Sequence, residues 1–153
     1  MANTYTQIHI QFIFAVKYRK GVILASWKDE LYKYLTGIVQ NNKHKMISIN
    51  GMPDHIHLLA GIRLSQSISD LMKDLKGSSS KWINEKKFTK ERFEWQEGYG
   101  AFSYGKSQVK NVISYIENQE KHHKRKSFKE EYLDFLKKFD VEFDDKYLFK
   151  DLI

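Results

Sequence analysis

The chain has 153 residues, 41% hydrophobic and 14% aromatic, which suits one globular domain around one core. Its 26 lysines and arginines against 19 acidic residues leave a net charge of +7, which points to a polyanionic partner, nucleic acid before membrane. Zero cysteines exclude disulfides and thiolate metal sites, and the most apolar run, Ile8 to Val16, is too short to span a bilayer.

The segment Tyr5 to Lys17 alternates, with Ile8, Ile10, Phe12, Phe14 and Val16 on one side and Gln7, His9 and Gln11 on the other, as a half-buried strand does. From Trp27 to Asn42, Trp27, Leu31, Leu35 and Ile38 recur at helical spacing. Met46 to Asn50 reads as a second strand, Gly51 to Asp54 as a turn around the one proline, Pro53, and His55 to Ile62 as a third strand completing a hairpin. Ser67, with Asp70 three residues on, opens a long helix whose core stripe is Ile68, Leu71, Met72, Leu75, Trp82 and Ile83. Phe93 to Tyr104 reads as a strand bent at Gly98 and Gly100. A helix follows from Ser107 to about Lys124, and Ser127 caps another through Phe139, before an acidic and aromatic tail. No linker, repeat or signal peptide stands out, so residues 1–153 are expected to form a single cytoplasmic domain.

Strand, helix, strand, strand, helix, strand is the order of a ferredoxin-like or RRM-like α+β fold. An antiparallel βαββαβ sheet with these helices on one face is expected, followed by an added C-terminal helix. The opposite face would then be free, with His9, Gln11, His55 and His57 on it.

His55 and His57 carry the sharpest chemical signal. Residues two apart on a strand share a face, so the two imidazoles stand side by side while Ile56 and Leu58 point to the core. That is half of a metal site; two polar residues on an exposed strand face are the plain alternative. On the helix from Ser107, the stripe Val109, Val112, Ile113 and Ile116 is apolar, and Tyr115 and Gln119 lie four apart on a polar flank. Tyr99, Tyr104 and Tyr132 rival Tyr115 as a reactive phenol, and His122 or His123 rivals Gln119 as a ligand. The run Lys121, His122, His123, Lys124, Arg125, Lys126 is a solvated helix end or a phosphate contact.

Three blocks, Pro53-Asp54-His55-Ile56-His57-Leu58-Leu59, Glu97-Gly98-Tyr99-Gly100-Ala101-Phe102-Ser103, and Tyr115-Ile116 followed by Gln119 and His122-His123, together resemble the small single-tyrosine HUH transposases. These mobilise insertion sequences as single-stranded DNA, and REP-associated tyrosine transposases are close relatives. The resemblance implies Tyr115 as nucleophile, giving a 5′-phosphotyrosine and a free 3′-hydroxyl, and His55, His57 and Gln119 as ligands of Mg²⁺ or Mn²⁺. Two imidazoles and an amide suit manganese better than magnesium, so manganese is expected to serve better in the test tube and magnesium in the cell. Implied partners are hairpin-bearing single-stranded DNA and a second copy of the chain, a homodimer whose tyrosine helix acts in trans; no membrane is implied. His9, Gln11, Lys121, His122, Lys124 and Arg125 are candidate DNA contacts. The alternatives are a domesticated hairpin nuclease of the REP type and a non-catalytic hairpin-binding module.

Overall fold

The computed structural model describes residues 4–124 and 126–143, and of His122 the backbone alone. Strands β1 (His9–Ala15), β2 (Lys45–Met52), β3 (His55–Gly61) and β4 (Gly100–Tyr104) form one antiparallel sheet in the order β2-β3-β1-β4. Helices α1 (Lys28–Asn41) and α2 (Ile68–Lys86) complete the βαββαβ order of the ferredoxin-like α+β fold.

Alternation along the central strands decides what each face does. Ile10, Phe12 and Phe14 of β1 and Ile56, Leu58 and Ala60 of β3 pack with Leu31, Leu35, Leu71, Leu75 and Ile83 of α1 and α2 in the main core. Those leucines are fully buried, and each contributes about 1.5–3 kcal/mol of transfer free energy. At the start of α2 the Ser67 hydroxyl accepts the Asp70 amide at 3.0 Å, satisfying a donor that the helix itself leaves open.

The second face is not free. Ile13 and Ala15 alternate with Gln11 on it, Leu59 follows His57, and Phe102 comes from β4, so it carries apolar area of its own. That area is covered by α3 (Val109–Glu117) and α5 (Phe128–Lys138), through Val112, Ile116, Phe128, Phe135 and Leu136, with the polar α4 (Gln119–His123) between them in the chain. The histidines are therefore roofed by helices.

Two elements differ from their expected extent. The segment 93–104 is a strand only from Gly100; Trp95 makes a single bridge to Val16, and Gly98, at φ 83°, turns the chain between them. The helix expected over 107–124 is a short 3₁₀ turn at Lys106–Gln108 followed by α3 and α4, broken at Asn118. Asn118 breaks it by directing its side-chain amide to the Ser114 carbonyl at 2.8 Å, the local competition with the helix ladder that asparagine favours. Asn50 of β2 donates to the carbonyls of Ile116 and Glu117 at 3.0 and 3.2 Å, so the end of α3 is capped by the sheet. Among the described residues no helix is long and apolar enough to cross a membrane.

Candidate active site

The hairpin β2–β3 sets His55 and His57 on the roofed face, and both imidazoles are fully buried. Each has its outer nitrogen held by a neighbour. His55 Nδ1 donates to Asp54 Oδ1 at 2.7 Å. His57 Nδ1 lies 2.7 Å from Gln11 Oε1, while the Gln11 amide nitrogen donates to the Tyr104 hydroxyl at 3.0 Å. A proton fixed on Nδ1 leaves the Nε2 lone pair of each ring aimed into the space between the sheet and α3–α5.

What meets those lone pairs is a set of acceptors. His57 Nε2 is 2.9 Å and His55 Nε2 3.5 Å from Glu131 Oε1, and His55 Nε2 is 3.2 Å from Gln119 Oε1. Gln119 directs its oxygen there because its amide nitrogen is engaged with Glu131 Oε2 and the Tyr115 carbonyl, both at 3.4 Å. His123 Nε2 approaches Glu131 Oε1 at 3.1 Å. Converging lone pairs repel unless a cation lies among them. Burial lowers His57 to a pKa of about 4, against the pull of the Glu131 carboxylate, so at neutral pH that cation is not a proton on His57. The donor set of imidazole nitrogens, amide oxygen and carboxylate suits a divalent metal, and the ligand atoms of His55, His57, His123 and Glu131 lie within 4.8 Å of one another.

The Tyr115 hydroxyl donates to Glu131 Oε2 in a short hydrogen bond, and its ring lies edge-on to His57 at 5.8 Å. Burial, then the Glu131 charge, raises the phenol well above its usual range. For Glu131, burial would raise the carboxyl, but the adjacent His123 and His57 imidazoles and the hydrogen bond from Tyr115 hold it well below the ordinary carboxylate range. A cleft of about 480 Å³ opens beside this cluster, lined among others by Gln11, Asn111, Tyr115, Lys126, Glu131 and Lys138.

The arrangement thus brings together His55, His57, Tyr115 and Gln119, which the sequence singles out. Gln11, expected as a DNA contact on an open face, is 1% exposed and instead orients His57. His9 is half-buried at the sheet margin, with Nδ1 3.4 Å from Gln7 Nε2. Lys121 and Lys124 are exposed at the α4 end; Arg125, the side chain of His122 and the tail from Asp144 lie outside the described residues. Of the rival phenols, Tyr104 accepts from Gln11, Tyr132 stacks on Phe128, and Tyr99 meets Phe12 in the core. Glu131 is the member that sequence reading misses. Its signal is its place on the apolar stripe of α5, between Phe128 and Phe135, where a glutamate is buried only with partners.

Neutral, buried His57 makes stability fall in acid. Its pKa drops from 6.5 in the unfolded chain to about 4 when folded, so between those values the unfolded chain binds more protons. The contribution is whole above pH 6.5 and is lost as the pH falls toward 4, in total about 3 kcal/mol. His123, raised despite burial by the Glu131 hydrogen bond, titrates on the other side of this window. Urea midpoints of EDTA-treated protein at pH 7 and pH 4.5 should show the loss, and His57→Gln should flatten it. An equal slope in both proteins would count against the assignment.

Comparison with known proteins identifies the family and the fold. Residues 4–119 match the family model described as "Transposase IS200 like". The chain is 30% identical over 120 residues to the ISDra2 transposase TnpA of Deinococcus radiodurans, covering 74% of this chain and 84% of that protein. It is 27% identical over 125 residues to the transposase for insertion sequence element IS200 of Salmonella typhimurium, covering 78% and 81%. Its fold is similar to the crystal structure of a candidate transposase from Deinococcus radiodurans, with a TM-score of 0.64, 27% identity, and coverage of 78% of this chain and 95% of that one. A REP-associated tyrosine transposase solved bound to a REP hairpin shares the fold at a TM-score of 0.61 and 13% identity, over 80% of this chain and 73% of that one. The family match spans three quarters of the sequence and contains both histidines, Tyr115 and Gln119: the chain belongs to the IS200-like transposase family.

Proposed function

We propose that this transposase is a metal-dependent enzyme that cuts and rejoins single-stranded DNA at hairpin-flanked ends, with Tyr115 as nucleophile. The observation that carries the reading is that the Tyr115 hydroxyl shares one carboxylate, Glu131, with the Nε2 atoms of the histidine pair. His55, His57 and Gln119 would hold Mg²⁺ or Mn²⁺, which when bound supplies charge for the non-bridging oxygens of a phosphodiester. Asp54 and Gln11 keep the two imidazoles in the tautomer that presents Nε2 inward.

The chemistry asked of Tyr115 is a transesterification. Its Oη forms a bond to phosphorus as the P–O3′ bond breaks, the phenolic proton passes along the hydrogen bond to Glu131 Oε2, and the departing O3′ takes a proton from water to end as a hydroxyl. The 5′-phosphotyrosine retains the energy of the broken bond, so attack by the 3′-hydroxyl of another strand restores a phosphodiester and frees Tyr115. No nucleotide is consumed. Lys121 and Lys124, exposed beside the cluster, with His122 and Arg125 from the same run, would meet the DNA backbone and make binding salt-dependent. A hairpin as ligand follows by analogy with the structural neighbour bound to one.

Two element ends must be cut in each cycle, and a chain carries one such tyrosine, so the reading includes a homodimer that exchanges tyrosine helices. In the single chain Tyr115 rests on its own histidines, and the segment joins β4 through Gly105 and the turn at Lys106–Gln108, short enough to be the point of exchange.

The test is incubation with labelled hairpin-bearing single-stranded DNA and Mn²⁺ or Mg²⁺, followed by denaturing electrophoresis. A covalent protein–DNA species that EDTA prevents is expected. Tight binding with no such species on the element's own ends would favour a binding module. In the same gel, a mixture of Tyr115→Phe with His57→Ala should regain the species lost by each alone; no recovery would mean that each chain uses its own tyrosine.

A further inference from the structure

Glu131 lies on α5, beyond the 4–119 segment that carries the family match. We propose that it is a fourth protein ligand of the metal, adding a carboxylate to His55, His57 and Gln119. The inference rests on the metal-dependent reading above, in which Glu131 accepts the Tyr115 hydroxyl and is not counted among the metal ligands.

Three observations support it. The first is spacing. For metal–ligand bonds of about 2.1 Å, adjacent donors of an octahedron stand about 3.0 Å apart. Glu131 Oε1 lies 2.9 Å from His57 Nε2 and 3.5 Å from His55 Nε2, and Gln119 Oε1 lies 3.2 Å from His55 Nε2. The second is direction. With Nδ1 of both rings donating outward to Asp54 and Gln11, Glu131 Oε1 faces two inward lone pairs, an arrangement that a divalent ion turns from repulsive to favourable. The third is burial. Glu131 is 3% exposed on an otherwise apolar stripe, and a buried carboxylate is retained where charges or a metal compensate it. His123 braces the same oxygen at 3.1 Å from outside the pair.

The carboxylate also resolves a mismatch of hardness. Two imidazoles and one amide are a soft set for Mg²⁺, and an anionic oxygen moves the site toward the cations that prefer oxygen. Its other oxygen, Oε2, accepts the Tyr115 hydroxyl. One side chain thereby ties the nucleophile and the metal site to the closing helix.

The experiment is Mn²⁺ binding to the full chain without DNA, read by calorimetry and by the electron paramagnetic resonance of free Mn²⁺. Glu131→Gln is expected to weaken binding at least about tenfold, and Glu131→Asp to recover part of the loss by keeping the charge. Far-UV circular dichroism and the urea midpoint establish that each variant is folded; should Glu131→Gln not fold, Glu131→Asp carries the test, with affinity between the wild type and His57→Ala expected. Unchanged or tighter binding by a folded Glu131→Gln would overturn the proposal and make the carboxylate an occupant that the metal displaces. His57→Ala separates the two readings: if it too leaves Mn²⁺ binding intact, the histidine-centred metal site itself is what fails.

Discussion

Tyr115→Phe is expected to abolish the covalent protein–DNA species, lowering its rate of formation by at least about a thousandfold, while hairpin binding and fold persist. The change removes one oxygen and keeps the ring, so the edge contacts with His57 and Phe135 at 5.8 and 5.7 Å survive. The lost hydrogen bond to Glu131 leaves that carboxylate oxygen still facing the Gln119 amide at 3.4 Å, so the stability cost should be about 1 kcal/mol. No other described phenol can substitute without rebuilding the roof. Tyr104 is held by Gln11 at 3.0 Å, and Tyr132 is stacked on Phe128 at 5.5 Å between ring centres. The rate is read as adduct per minute on a denaturing gel at saturating protein, and binding as the shift of the same DNA on a native gel. An adduct that forms at the wild-type rate would move the nucleophile elsewhere and leave Tyr115 a packing residue. Loss of both adduct and binding would assign the tyrosine to recognition instead.

The parts of this arrangement that one sequence can reveal are those governed by short-range periodicity. Alternation in Ile10, Phe12 and Phe14 and helical spacing in Leu31, Leu35 and Ile38 each name a face, and the order of elements then names the sheet. His55 and His57 are legible for the same reason, since the pleat sets two residues apart on one side. The roof over that side is less legible, because Ile13, Ala15 and Phe102 belong to faces whose polar members draw attention first. Gln119 was legible for a reason that only half holds: Asn118 ends the helix between it and Tyr115, and the two stay together because the Gln119 amide returns to the Tyr115 carbonyl at 3.4 Å. Glu131 depends on a contact 74 residues away in the chain, with His57, which no local pattern encodes. A charged residue on the apolar stripe of α5 is the trace it leaves.

Gly51→Ala should cost more than about 3 kcal/mol, well beyond an ordinary surface change and in the range kept for severe steric faults. Gly51 pairs with Ile56 across the hairpin, one step from Met52 and His55. A Cβ at this position would lie 2.2 Å from the His55 carbonyl oxygen and 3.1 Å from the Ile56 Cα. Both neighbours are backbone, so no side chain can rotate away; β2 and β3 must part at the step that aims His55 inward. Two effects are therefore expected together, a large fall in the urea midpoint and weakened Mn²⁺ binding in whatever protein remains folded. Gly37→Ala supplies the contrast. It sits in α1 with nothing within 4 Å of the added carbon, and there alanine should stabilise by about 0.5–1 kcal/mol through helix propensity. Opposite signs from the same added methyl would locate the constraint in the hairpin rather than in the chemistry of alanine. If Gly51→Ala instead unfolds at the wild-type midpoint, β2 does not approach His55 this closely, and the histidine pair owes its aim to Asp54 and Gln11 alone.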